Sequence, residues 1–295
     1  INFDLYLKID RNYVLFRHRD LVIDLADLQR LLENSTETLY IHNNDRKNYR
    51  GYLEANIDNV LKSDDVPVAR KAEVLYESAI NVVEDVFENP RSGEVSQRSK
   101  RMVGNTVDFI LSGPQAFVSL LKIREHDFYT FTHSVNVCTF LVALAQNLGI
   151  ADPAQLRAIG EGGLLHDLGK SRISATIINK RGSLTSSEWE MMKQHPVFGV
   201  EIARDAHHVS DTALTIIGQH HEKLSGNGYP KALAGRELSV YARMASIVDV
   251  YDAVTTSRSY SVARSPLEGA QILLSKREDY DEQILRRFIK MIAVK

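Results

Sequence analysis

The sequence predicts a mainly α protein in which a small α/β unit precedes a larger all-helical domain. Three observations carry this. Period-two patterning is confined to about the first 50 positions, where Phe3, Leu5, Leu7 and Ile9 share one face. Beyond Asn48 apolar residues recur at helical spacing almost throughout. Within the helical regime, Asn89-Pro90-Arg91-Ser92-Gly93 interrupts a long helical pattern. That break sets the expected boundary, with units 1–90 and 91–295.

The elements follow in order. Tyr13-Val14-Leu15-Phe16 is a second β-prone run and Thr38-Leu39-Tyr40-Ile41-His42 a third, with a helix over 21–32 between them. Pro67 stands near the start of a long amphipathic helix through Val74, Leu75, Ile80, Val83 and Val86. Further helices are expected over 95–112, 115–123, 128–149, 153–168, 186–194, 197–205, 209–221, 239–256, 265–276 and 280–293. Asp152-Pro153 starts one of them, with Asp as the cap and Pro at the first helical position. The first unit has no cluster of His, Cys or carboxylates and no Gly-rich phosphate loop, so a regulatory or partner-binding role is expected of it.

Composition excludes several classes. Lys+Arg 36 against Asp+Glu 38 leaves a net charge of −2, with no basic excess to hold a nucleic-acid polymer. Cys138 is the single cysteine, so no intrachain disulfide forms and a reducing, cytoplasmic location is expected. No apolar run approaches the ~18 residues of a membrane span, and no signal peptide is read. As the chain opens on Ile1 rather than Met, an upstream segment is expected.

Chemistry concentrates in the second unit. Eight of the ten histidines follow residue 125, among them His133, His166, His195, His220 and His221. Asp167 adjoins His166, and Asp249 and Asp252 lie on a later apolar helix. Imidazole and carboxylate together suit borderline metals such as Mn, Fe and Zn. A carboxylate among Ile247, Val248, Val250 and Val254 is costly to bury without a cationic partner. A single histidine on an apolar face is more often a hydrogen-bonded core residue. The combination of His166-Asp167, His220-His221 and Asp249 is what points to metal.

The segment Gly163-Leu164-Leu165-His166-Asp167-Leu168-Gly169-Lys170 resembles the HD superfamily of metal-dependent phosphohydrolases. His220-His221-Glu222-Lys223-Leu224-Ser225-Gly226-Asn227-Gly228-Tyr229-Pro230 resembles the signature of its HD-GYP subgroup. The likeness runs over about residues 125–275. It implies a cyclic-di-GMP phosphodiesterase with an all-helical HD-type fold, opening the substrate to linear pGpG, and in some cases on to GMP, through a metal-bridging hydroxide. The ligands it implies are His133, His166, Asp167, His195, His220, His221 and Asp249, with Asp167 as the bridge. Lys170 would meet the scissile phosphate and Arg258 a phosphate or guanine, while Lys180 and Tyr229 border the cleft. Three-metal relatives carry a glutamate four residues before the first ligand histidine. Tyr129 stands there, so two ions, iron or manganese, are expected. Protein partners, GGDEF-type or other signalling proteins, would dock on the GYP loop or the first unit. The sequence departs from the subgroup at Ser225, Arg181 and Arg258-Ser259-Tyr260-Ser261, none of them a metal ligand. Two other readings stay open: a weakly active receptor that keeps its metals, favoured by Ser225 and Ser261, and a phosphohydrolase for another nucleotide, against which the GYP segment counts.

Overall fold

The computed structural model describes residues 1–36, 38–124, 131–180, 182–205, 209–256 and 263–293. The chain divides into two compact units, Ile1–Asp65 and Val66–Lys295.

In the first unit, β1 (Leu5–Ile9) and β2 (Asn12–Arg17) form an antiparallel hairpin in which Leu7 faces Val14. The third expected strand shrinks to a single bridge: Tyr6 and Tyr40 exchange N–H···O bonds of 2.8 and 2.9 Å. The chain leaves the pairing at once because His42 Nδ1 accepts the Asn44 N–H and starts a 3-10 turn. Helix α1 (Leu25–Glu33) begins later than the apolar pattern suggests. Asp24 caps it, accepting the Asp27 N–H while Asp27 accepts that of Asp24. Helix α2 (Arg46–Lys62) buries Ile57, and Phe3 packs edge-on against Tyr49 and Tyr52.

The second unit is helical. It runs α3 (Val68–Glu88), α4 (Gly93–Leu111), α5 (Pro114–Arg124), α6 (Thr132–Asn147), α7 (Pro153–Leu165), α8 (Ala175–Ile178), α9 (Ser186–Met192), α10 (His195–Asp205), α11 (Asp211–Gln219), α12 (Val240–Thr255), α13 (Pro266–Ser275) and α14 (Glu282–Ile292). The boundary expected at 90 thus falls at 65. Helix α3 goes with the second unit because its buried face, including Leu75, Ala79 and Val83, packs on α4, α5 and α6. The Tyr76 hydroxyl donates to Asn136 Oδ1 on α6 at 2.8 Å, across a buried contact.

Helices α6 and α7 form the centre. Every residue of α6 from Ser134 to Ala145 is buried. Gly162 and Gly163 let neighbours approach α7 closely: a Cβ on Gly163 would lie 2.9 Å from Leu141 and one on Gly162 2.8 Å from Ile216. Phe140, Tyr251 and Phe288 meet edge to face with ring centroids 5.1 to 5.7 Å apart, tying α6, α12 and α14 together. Truncating a ring in such a cluster costs about 3–5 kcal/mol. Among the described residues, no helix is long and apolar enough to cross a membrane.

Candidate metal centre

Helix ends deliver the site. His133 stands in the first turn of α6, His166 caps α7, and His220 caps α11 with His221 next. Asp167 opens the 3-10 turn Leu168–Arg172, which carries Lys170. A Cβ on Gly169 would overlap the His195 carbonyl oxygen, so glycine there lets the turn lie directly on the start of α10. That contact sets Asp167 against His195. Asp249 comes from the buried middle of α12.

The side chains converge in two groups that share one residue. His133, His166 and Asp167 form the first, and Asp167, His195, His220 and His221 the second, with the ligand atoms of each within 4.8 Å of one another. Asp167 Oδ2 lies 3.4 Å from His166 Nε2, while its Oδ1 lies 3.4 Å from His195 Nε2. Asp249 also spans the groups. Its Oδ1 is 3.1 Å from His133 Nε2 and its Oδ2 3.3 Å from His221 Nδ1.

Proton positions, assigned from the hydrogen-bond network, show what the centre lacks. His166, His195 and His220 each place Nδ1 at 2.8 to 3.0 Å from the carbonyl three residues earlier, those of Gly163, Met192 and Ile217. A carbonyl only accepts, so each neutral ring carries its proton on Nδ1 and leaves Nε2 as a bare lone pair. The Nε2 atoms of His195 and His220 nevertheless face each other at 3.1 Å. Asp167 Oδ1, also acceptor-only, is buried among them with no hydrogen-bond partner among the described residues. Converging lone pairs with no donor between them fit a divalent cation, and carbonyl-anchored imidazoles are how proteins orient metal-binding histidines.

The titration behaviour agrees. Burial lowers the pKa of His195 to about 4 and that of His221 to about 3 and holds His220 well below the usual range, so these rings are neutral, as ligands must be. Burial opposes charge on Asp167 too, but the Lys170 ammonium beside it holds its carboxyl well below normal. His133 differs. Burial disfavours its charge, yet bonds to Asp249 and Asp252 lift its pKa to about 9.

Comparison with known proteins decides the family. Residues 116–284 match the family described as HD domain. The chain belongs to the HD family. Along 227 residues it is 34% identical to a cyclic di-GMP phosphodiesterase of Pseudomonas aeruginosa, covering 76% of this chain and 55% of that protein. A 3'3'-cGAMP-specific phosphodiesterase of Vibrio cholerae is 30% identical over 209 residues, covering 67% of this chain and 44% of that protein. The chain therefore spans about half the length of these curated relatives. A solved structure of an HDG"Y"P protein from Bdellovibrio bacteriovorus superposes with a TM-score of 0.74 at 28% identity, covering 100% of this chain and 95% of that one. The HD-GYP resemblance carried by the motifs stands.

Each residue singled out in the sequence can now be placed in the HD fold. All seven implied ligands meet at the centre. Lys170 Nζ donates to Asp167 Oδ2 at 2.6 Å. Tyr229 lies over His221, with ring centroids 4.6 Å apart and planes tilted by 33°. Burial and the Asp249 and Asp167 carboxylates raise its pKa, so it stays a neutral phenol. Lys180 instead pairs with Glu188 at 2.5 Å, on the first turn of α9. Arg258, Tyr129, Arg181, Ser259, Tyr260 and Ser261 lie outside the described residues.

Three supporting roles are visible only in the structure. Asp252, fully buried, accepts from His133 Nδ1 at 2.7 Å and orients the ring. Its i,i+3 spacing from Asp249 placed it on the right face, but spacing does not separate a ligand from its support. Glu222, also fully buried, accepts the Lys231 and Leu233 N–H groups at 2.7 and 2.9 Å and so folds the GYP loop around itself. Asp279, distant in sequence, accepts from Ser225 Oγ and Lys223 Nζ at 2.5 and 2.7 Å and anchors the loop from outside.

Proposed function

We propose that this chain is a metal-dependent phosphodiesterase that hydrolyses cyclic-di-GMP to linear pGpG, with onward hydrolysis to GMP the slower step. One observation carries the reading: two ligand groups share Asp167, and Lys170 stands beside it at the same carboxylate. The names of the relatives support the substrate class. His133, His166, Asp167 and Asp249 would hold one ion, and Asp167, His195, His220, His221 and Asp249 the other. Iron or manganese, two per chain, suits this nitrogen and carboxylate donor set. Bound metals supply electrophilic stabilisation of phosphoryl charge and activation of water. The chain's own part is to exclude competing donors from the imidazoles, to keep Asp167 ionised and to place the Lys170 ammonium for a phosphate oxygen. Tyr229 and Arg258 would complete the substrate-facing rim, and Lys180, paired with Glu188, would hold its edge.

The first unit is proposed as a regulatory or partner-binding module, with GGDEF-type or other signalling proteins as partners there or at the GYP loop. Its exposed Leu25 and Leu32, 83% and 78% accessible and seven residues apart on α1, support that role. A cytoplasmic setting belongs to the same proposal and suits the free, buried Cys138.

The test is incubation of metal-loaded protein with cyclic-di-GMP and, in parallel, 3'3'-cGAMP, with products resolved by chromatography. Conversion of cyclic-di-GMP to pGpG is expected. Tight binding without turnover would favour the receptor reading, and preference for 3'3'-cGAMP would reassign the substrate. Elemental analysis should give two ions per chain.

A further inference from the structure

Trp189 is the one tryptophan of the chain. It follows a first turn that is pinned on both sides. Thr185 Oγ1 accepts the Glu188 N–H, and Glu188 Oε2 accepts both the Thr185 N–H at 2.6 Å and Lys180 Nζ at 2.5 Å. With that turn fixed, the Cα–Cβ bond of the next residue is fixed in direction too. The indole is nevertheless 44% exposed, unusual for a residue that is highly buried on average. It meets Tyr229 edge-on, with centroids 5.8 Å apart and planes at 78°. Tyr229 in turn lies over His221. The rings of Trp189, Tyr229 and His221 thus lead in sequence from solvent to the ligand set.

A cyclic dinucleotide carries each base one sugar away from a phosphate. A phosphate at the Asp167–Lys170 end would carry its base outward past the metal-binding histidines, where flat, anchored aromatic surface is what a base stacks on. We propose that Trp189 stacks on a purine of the substrate and positions it, a binding role resting on the phosphodiesterase reading above. The Lys180–Glu188 pair then serves this role by holding α9, which accounts for a lysine expected at the cleft meeting a glutamate instead.

The sole tryptophan makes the test direct. A phosphorothioate analogue of cyclic-di-GMP is titrated into metal-loaded protein and followed by calorimetry and by tryptophan emission. Emission should be quenched along the calorimetric isotherm. In steady-state assays Trp189→Leu should raise KM about 5- to 100-fold while kcat stays within about twofold, and Trp189→Phe should retain most of the affinity. A residue that merely braced Tyr229 would lower kcat in the Leu variant and leave wild-type emission unmoved. Calorimetric binding without an emission change, or an unchanged KM in Trp189→Leu, would overturn the inference and leave the phosphodiesterase reading intact. Absence of both binding and hydrolysis would overturn that reading, and the stacking role would fall with it.

Discussion

Asp167 is the side chain on which the centre turns, because each of its oxygens serves a different histidine group. Asp167→Ala should therefore abolish hydrolysis and lower bound metal at both positions, measured by elemental analysis. Full metal content in this variant would show that Asp249, which also spans the groups, suffices as the bridge. Lys170 points its charge at the same carboxylate without being able to ligate a metal. Lys170→Ala should keep the metals and lower kcat by roughly 10²–10³, the usual loss for one group that stabilises developing charge. Loss of metal would make Lys170 a structural partner of Asp167 instead. Metal-free protein should show a pH signature. His133 has a folded pKa of about 9, above its unfolded 6.5, so its stabilisation is full below 6.5 and lost as pH rises through 9. His195 and His221, at about 4 and 3, act oppositely: the unfolded chain protonates first, so their contribution is present above 6.5 and lost as pH falls. Chelated protein should then show its highest Tm near pH 6.5, by calorimetry across pH 4–10. A Tm still climbing between pH 6.5 and 9 would contradict the His133 pairing. At this scale the convergence of these side chains was legible because several His and Asp set in apolar helices are costly to bury without a cation to meet them. The supporting roles of Asp252 and Glu222 were not, since their work lies in bonds to one ring nitrogen and two backbone amides that no spacing encodes.

The GYP loop shows how an element is held from outside its own motif. Glu222 satisfies its N–H groups from within, and Gly228 lies so near the backbone that a Cβ would sit 2.5 Å from Glu222 Cα and Lys223 N. Asp279 closes the far side through Ser225, Lys223 and a 3.0 Å bond from the Leu224 N–H to its own carbonyl. Ser225, a departure from the HD-GYP pattern, thereby acquires a reason: its hydroxyl donates to a carboxylate already in place. Lys223 and Ser225 hold that carboxyl below the normal range against the effect of burial. Ser225→Asp should place two carboxylates together and destabilise the protein by about 1–3 kcal/mol, the cost of a lost hydrogen bond to a partly buried charge. Denaturant unfolding measures this, and Ser225→Asp combined with Asp279→Asn should recover much of it. A stabilised single variant would mean that Asp279 does not anchor the loop. Helix starts were largely legible, since Asp152 and Pro153 cap α7 where the sequence placed them. The third strand was not, because its β-prone residues say nothing of the turn at His42 that ends the pairing.

At the scale of the whole molecule, the Pro/Gly break at 89–93 misled for a physical reason. Punctuation marks where a helix stops and is silent on which core the helix before it joins. Only packing assigns α3, and its apolar face closes on α4, α5 and α6, with Tyr76 bonded to the α6 residue Asn136. Helix α6 carries His133, so α3 supports the metal centre through one intervening helix. This changes the outcome expected of truncation. A chain beginning near Ser96, the natural cut for a boundary at 90, would strip α3 and expose the faces of α4, α5 and α6 that it covers. Loss of Val74, Leu75, Ala79, Val82, Val83 and Val86, all buried, removes several side chains worth about 1.5–3 kcal/mol each, against a typical total stability of about 5–15 kcal/mol. That protein should be insoluble or metal-free. A chain beginning at Val66 should keep α3, fold, bind two metals and hydrolyse cyclic-di-GMP, losing only what the first unit contributes to control. Thermal unfolding, elemental analysis and turnover of the two truncations side by side decide the matter. A sound, metal-loaded Ser96 protein would show that α3 is dispensable to the catalytic core, and a Val66 protein that fails to fold would make the first unit part of it.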